Sequence, residues 1–482
     1  MRDGRGDARV SELKVFQQRI AAAQADRRLV AAVKSATLSK VVAREVALAE
    51  LHDATALREC AGAIKQHMLD HLPEYLEQFV TQVQARGGVV HFAPDAAAAC
   101  RIIGDLAATR GAKLAVKAKS MTSEEVHLNA ALAERGVEVV ETDLGEFIVQ
   151  IAHDKPSHIV TPIIHKDRRQ VATTMPQVLG CTYTEDPGEL TKLARVHLRD
   201  IFRRCDLGIT GVNFAVAETG SICLLTNEGN GRMTTTRPRV HIALVGIEKL
   251  VPRLADLPVF LKLIARSTTG QAMGVYTTLI SGPRQAGERD GPEELHVVLL
   301  DNGRSDIWEG EFREVLRCIR CGACLNACPV FRNVGGHAYH SVYPGPIGSL
   351  VTPLLSHLRD GAGLPRASSL CGACKVACPV MIDIPKYLVK LRAAAPGVQP
   401  LGKRLGLRGW RMIVSQPALY RAAQWMLRKV VRGRWRGWLA RGPLAHGPLA
   451  AWGKRRELPT PAPRTFTELW NAGLNGDGGA RR

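Results

Sequence analysis

Residues 318–330 read CIRCGACLNACPV and residues 371–380 read CGACKVACPV. Cys318, Cys321 and Cys324, each two residues from the next, can wrap one corner of a cubane from a single loop. Gly322 and the small Ala323 would let the backbone approach inorganic sulfur. Cys328-Pro329 follows after three residues; a cysteine in that place points away and, in two-cluster ferredoxins, ligates the other cluster. Residues 321–330 and 371–380 agree at eight of ten positions, so the second run repeats the first. Zinc ribbons or buried free thiols are the competing reading, and the repeat weighs against both. Aligning the repeats places Cys318 opposite Ser368. Cys318, Cys321, Cys324 and Cys378 are therefore assigned to one complete [4Fe–4S] cluster. Cys328, Cys371 and Cys374 remain for a second, either a [4Fe–4S] cluster with a non-cysteine or open site or a [3Fe–4S] cluster. Such centres move single electrons, and electron transfer is the expected work of this part of the chain.

About forty residues separate the two runs, and GSLVTPLLSHLRDG and IPKYLVKLRAAA look helical. This resembles the all-helical two-cluster ferredoxin module of quinone-linked oxidoreductases such as succinate dehydrogenase and heterodisulfide reductase subunits. Upstream, GGVVHFA, KLAVKAKS, VEVVETD, HIALVGI and ELHVVLL read as strands, with helical stretches such as DAAAACRIIGDLAATRG and LTKLARVHLRDIFRRC between them. That rhythm predicts an α/β domain with a largely parallel sheet. Residues 1–75 read as helices, rich in Ala, Leu, Arg and Glu with few breakers. DNGRSDIWEGEF, 301–312, reads as the way out of the α/β domain. The expected division is 1–75 N-terminal helices, 76–304 α/β domain, 305–392 helical two-cluster domain and 393–482 basic tail.

A chain of 482 residues exceeds one core and suits two or three domains. With 46% hydrophobic and 23% charged residues, it is not disordered as a whole. No apolar run is long enough for a membrane span, and the charged N-terminus does not read as a secretory signal; a cytoplasmic location is expected. Of twelve cysteines, seven crowd between 318 and 378, which favours metal over disulfides. Cys60, Cys100, Cys181, Cys205 and Cys223 are scattered and read as small buried hydrophobes. The net charge of +20 invites a nucleic-acid reading. Residues 401–456, however, carry fourteen Lys and Arg and no acid, so the rest of the chain holds only +6, and nucleic acid is not an expected partner. Trp410, Trp425, Trp435 and Trp438 lie in that tail, which suits docking on an anionic membrane face or an acidic partner, or packing on the two-cluster domain.

Two stretches before the cysteines are candidates for a ligand site. In LGITGVNFAVAETGSICLLTNEGNGRM, 207–233, FAVAE and SICLL flank a turn at Thr219-Gly220, and NEGNG supplies glycines that a ligand could approach. In KAKSMTSEEV, Thr122 and Glu125 read as a capping box. Lys117, Lys119 and Ser120 would then sit near a helix N-terminus, where a carboxylate or phosphate is stabilised. A turn-rich loop and a solvated strand end are the plainer readings. His153 and His165 read as structural, although His165-Lys166 could pair a base with a carboxylate clamp.

AVAETGS, NEGNGR, KSMTSEE, ETDLGEF and the double CGAC…CPV, in that family's order and within about 70–395, resemble the iron–sulfur subunits of lactate-utilization systems, the LutB type. The resemblance implies a LUD domain with a NagB/RpiA/CoA-transferase-like parallel sheet, followed by the helical ferredoxin domain and a basic helical tail. Members of that family also show seven cysteines here. It implies a role in oxidising L-lactate to pyruvate beside two partners, a cysteine-rich CCG-domain protein and a small LUD protein. Substrate-binding candidates are Lys119, Ser120, Glu218, Thr219, Asn227 and Glu228; no catalytic residue is assigned. With no dinucleotide fingerprint, P-loop or flavin site in view, the hydroxyacid chemistry belongs to the partners or to the LUD–cluster interface. A related role with glycolate, another hydroxyacid or a quinone-linked dehydrogenase is the alternative.

Overall fold

The computed structural model describes residues 5–358, 360–395, 401–432 and 462–474. The chain divides into two units, Met1–Val398 and Gln399–Arg482. The first begins with four helices, Arg5–Ala25, Arg27–Ala49, Ala54–Asp70 and Leu72–Ala85. Asp26 and Asp53 cap the second and third, Asp26 accepting from the Arg28 and Leu29 amides at 3.0 Å and Asp53 from Ala56 at 2.8 Å. Such caps satisfy amides that a helix start leaves orphaned.

Ten strands follow: β1 Val89–Ala93, β2 Leu114–Ala118, β3 Glu138–Glu141, β4 Leu207–Thr210, β5 Phe214–Val216, β6 Ser221–Thr226, β7 Val240–Gly246, β8 Leu250–Val251, β9 Tyr276–Ile280 and β10 Glu294–Leu300. Six form a sheet in the order β1-β10-β7-β4-β2-β3 with every pairing parallel. This is the parallel α/β core the sequence predicts. Strand β7, VHIALVG, is buried at all seven positions, as a strand covered on both faces must be. Ile103, Leu128 and Leu132 pack on one face against Ile209, Ile242 and Val298. Phe147, Met175 and Leu198 pack on the other against Leu114, Val116 and Val140. Each such fully buried side chain contributes about 1.5–3 kcal/mol. Gly208 is required: a Cβ there would overlap the Thr234 carbonyl oxygen. The remaining strands form a second sheet, β8-β5-β6-β9, in which β5 and β6 are the expected hairpin, antiparallel across Thr219-Gly220.

Short helices Ala323–Ala327, Pro329–Val334, Gly345–Leu355, Ala373–Ala377 and Ile384–Ala394 make the cysteine region. Phe331, Leu350 and Leu388 share one core there with Val33 of the second N-terminal helix and with Phe260 and Leu263. The Arg58 guanidinium reaches the carbonyls of Val376 at 2.6 Å and Cys378 at 2.9 Å, so the N-terminal helices close over the cysteines.

Residues 301–312 lead out of β10 and contain the helix Arg304–Glu309, in which Arg304 is wholly buried. One expectation is corrected. Of the five scattered cysteines only Cys223 is buried, Cys60 is exposed, and Cys100, Cys181 and Cys205 are half-buried. In the second unit, helices Leu401–Ser415 and Pro417–Arg432 carry exposed Trp410, Trp425 and Met426. Trp435 and Trp438 lie outside the described residues. No described helix is long and apolar enough to cross a membrane.

Candidate functional site

In a parallel sheet the strand ends on the carboxyl side converge, and ligands bind beyond them. Here β2 leads into Lys119-Ser120, β4 into Gly211, and β7 runs on to Lys249. Lys119, Ser120, Thr210, Gly211 and Lys249 line a cavity of about 490 Å³ together with Asn230, Thr268, Arg320, Cys321 and Tyr343. Beneath it lies a buried ion network. The Arg304 guanidinium takes both oxygens of Glu125 at 2.9 Å and Glu248 Oε2 at 2.5 Å. Tyr343 Oη adds a 2.6 Å hydrogen bond to Glu125, and Lys65 Nζ reaches the carbonyls of Glu248 and Leu250 at 2.5 and 3.0 Å. Burial pushes the Glu248 carboxyl up, but Arg304, Arg320 and Lys249 more than offset this and hold it at about 2. Burial lowers Lys249 to about 8 against the pull of Glu248.

The cysteines fall into two groups. Cys318, Cys321, Cys324 and Cys378 line one small second cavity. Burial, with the neighbouring thiolates adding to it, raises the Cys321, Cys324 and Cys378 thiols, the last to about 11. Burial also raises Cys374 to about 12, with Cys328 and Cys371 as its thiolate neighbours. Thiols packed in this way suit a cation that deprotonates them outright. Backbone amides already point at the sulfurs: Arg320 N lies 3.4 Å from Cys318 Sγ and Ile382 N 3.4 Å from Cys378 Sγ. N–H···S bonds of this kind tune iron–sulfur centres. Buried Tyr339 stands beside Cys324 and Cys328, one from each group. The residues present thus fit two iron–sulfur centres. Cys321 lines both cavities.

The other sequence candidates are placed as follows. Lys119, Ser120, Asn227 and Glu228 line the large cavity. Glu218 and Thr219 do not; they sit at the hairpin turn, where Glu218 accepts from Leu254 N at 2.8 Å and Thr219 Oγ1 donates to Ser221 Oγ. Asn227 and Glu228 brace the rim, Asn227 against Gln271 and Val275 and Glu228 against Leu144 N. The expected capping box is corrected: the helix Met121–Glu125 is capped by Ser120, whose Oγ accepts from Ser123 N at 3.1 Å, and Glu125 serves Arg304 instead. Lys117 is not at an anion site but buried in ion pairs with Glu124 and Glu141 at 2.6 and 2.7 Å. His165 and Lys166 are not free to act as base and clamp; both hold Asp154, at 3.0 and 2.7 Å. A Cβ at Gly231 would meet the Thr226 side chain. Sequence reading missed Arg304, Lys249, Asn230 and Arg320. The signal that marks the first two is a charged residue soon after an apolar strand run.

Residues 76–300 match the LUD domain family, 314–382 the 4Fe-4S dicluster domain family and 390–473 the family "Lactate utilisation protein B, C-terminal". "Lactate utilization protein B" of Shouchella clausii is 43% identical over 464 residues, 95% of this chain and 96% of the relative. Its counterpart in Bacillus cytotoxicus is 44% identical over 465 residues, 96% and 98%. The chain belongs to the lactate utilization protein B family. As a family member it carries an iron–sulfur dicluster domain behind its LUD domain, and its role is in lactate utilization. A solved DUF162 family protein from Deinococcus radiodurans aligns with 48% of this chain and 98% of its own, at 16% identity and a TM-score of 0.27, a likeness too slight to bear on the fold.

Proposed function

We propose that this chain is the iron–sulfur electron-transfer subunit of a cytoplasmic complex that oxidises L-lactate to pyruvate, allowing growth on lactate. The observation that carries the reading is the sharing of Cys321 between the strand-end cavity and the thiol-lined cavity. Cys318, Cys321, Cys324 and Cys378 would hold one cluster, and Cys328, Cys371 and Cys374 the other. When bound, the two clusters supply one-electron carriers. The chain's own residues do the rest. Lys119 and Ser120 present cationic and hydroxyl groups to a small acid, Asn227 and Glu228 brace the rim, and the Arg304 network fixes the floor. The sequence carries no dinucleotide fingerprint, P-loop or flavin site for hydride removal, and in this reading partner proteins, a cysteine-rich CCG-domain protein and a small LUD protein, complete the reaction.

A strain lacking this gene should fail on L-lactate and grow normally on pyruvate. The intact gene should restore growth, while Cys324→Ser should not. The purified chain alone should not oxidise lactate. Normal growth of the deletion strain on L-lactate, in a cell without another lactate dehydrogenase, would overturn the reading; a defect on glycolate instead would move it to that acid.

A further inference from the structure

We infer that Arg320 anchors the carboxylate of a small 2-hydroxy acid in the strand-end cavity, with Asn230 Oδ1 accepting from the acid's hydroxyl. The inference rests on the reading above that this chain serves hydroxyacid oxidation, and it places the substrate on this chain. Arg320 lies between two cluster-assigned cysteines at φ +57, and Leu370, at the same place in the repeat, has φ +56. The backbone there belongs to the cysteine loop, so it is the side chain that sets Arg320 apart. Its side chain is 7% exposed. The guanidinium sits 4.6 Å over the Tyr343 ring and brings Nη2 to 3.5 Å from Glu248 Oε1. Nε and Nη1 are buried and have no hydrogen-bond partner. Donors left so are costly, and a carboxylate is the group a guanidinium fork matches best.

The surroundings point the same way. Lys119 Nζ also lacks a hydrogen-bond partner, its nearest acid being Glu146 at 3.7 Å, and Lys249 adds a third cation to the lining. The two acids in the lining are already committed to backbone amides, Asp143 to Gly145 N at 3.1 Å and Glu228 to Leu144 N at 2.8 Å. Against these donors stands one unmet acceptor. Asn230 is 6% exposed, its Nδ2 donates to Thr142 Oγ1, and its Oδ1 has no partner. Unmet cationic donors with one unmet acceptor are the complement of a carboxylate that carries a hydroxyl. A 2-oxo acid offers the carboxylate but no donor for Asn230.

The test is calorimetric titration of the full chain, purified without oxygen and with its clusters, using L-lactate, pyruvate and inorganic phosphate as probes. L-Lactate should bind more tightly than pyruvate. Arg320→Met should weaken both acids about 10- to 100-fold, as loss of a charge-assisted hydrogen bond does. Asn230→Ala should leave pyruvate unchanged and weaken L-lactate about 2- to 10-fold, the effect of a neutral hydrogen bond. Iron content and the visible spectrum are read on every variant. If Arg320→Met loses iron, Lys119→Met, outside the cysteine loop, decides, and it should weaken both acids alike. Unchanged affinity in the deciding variant, or phosphate binding more tightly than L-lactate, overturns the inference. So does a wild-type chain that binds no L-lactate; if the deletion strain still fails on lactate, the electron-transfer reading stands and the substrate belongs to a partner.

Discussion

Arg304→Met should destabilise the first unit more than any surface change. The guanidinium is fully buried and is the principal cation for two buried carboxylates, Glu125 and Glu248. Methionine replaces the stem and removes the charge. Glu125 then keeps only its hydrogen bonds from Tyr343 and Asn302, and Glu248 the 3.5 Å contact from Arg320 and the attraction of Lys249. Removing one partner of a buried ion pair costs about 3–5 kcal/mol. A second route gives a similar size. Glu248 is held at about 2 against its ordinary 4.5, and at about 1.4 kcal/mol per unit that is roughly 3 kcal/mol. Because its folded value is depressed, this stabilisation is fully present above pH 4.5 and is lost as pH falls toward 2. The wild type should therefore weaken in that acid window, and the variant, having lost the contribution already, should show a shallower fall. The assay is thermal unfolding of the intact chain followed by near-UV circular dichroism at pH 7 and pH 3. Midpoints are compared, because a chain of this size need not unfold in two states. The variant should melt about 5 °C lower at pH 7, as a loss of that size predicts for a unit of this length. Adding Glu125→Gln and Glu248→Gln should recover part of the loss by removing the unpaired charges. A midpoint within about 2 °C of wild type, or an unchanged acid dependence, would refute the reasoning.

Protein prepared without oxygen should carry about seven to eight irons per chain; Cys321→Ser should remove about half of them and Cys60→Ser none. The centre assigned to Cys328, Cys371 and Cys374 should lose iron first under oxygen, seen by paramagnetic resonance. Ser368→Cys should slow that loss; two equally stable centres in the wild type would count against the three-thiolate assignment. Deleting residues 401–456 should leave iron content and melting unchanged while weakening partner or vesicle association, more so at high salt; an insoluble or iron-free product would show that the segment packs as core.

The parallel core was legible because β7 and β10 are apolar at nearly every position, and an apolar run of that length without alternation has to be covered on both faces. The dicluster region was legible because ligand spacing is local and the second cysteine run repeats the first. The hairpin at Thr219-Gly220 was legible from its turn residues. The burial of the scattered cysteines was misread because a single small residue carries no periodicity, and Cys60 shows how little its type says about its surroundings.

The cavity was only partly legible, and for a physical reason. A helix start such as KAKSMTSEE advertises itself in sequence, so Lys119 and Ser120 could be found. Lys249, Asn230 and Arg320 come to the same place from three other strand ends and loops, joined only by the order of the sheet. Arg304 was hidden differently. Surrounded by Asp, Asn and Gly in 301–306, it reads as solvent-facing, yet it sits where β10 delivers it to two carboxylates that other segments supply. Arg320 is the most concealed. It occupies a spacer position between two cysteines, where ligand spacing makes no demand on residue type. Its positive φ belongs to the cysteine loop, since Leu370 at the same place in the repeat shares it, but Arg320 also lines the neighbouring cavity and carries buried unmet donors. The repeat puts leucine where this loop puts a cation, so the guanidinium serves the cavity and not the cysteine loop. That is why Arg320, ahead of the lysines at the rim, is where the carboxylate should be sought.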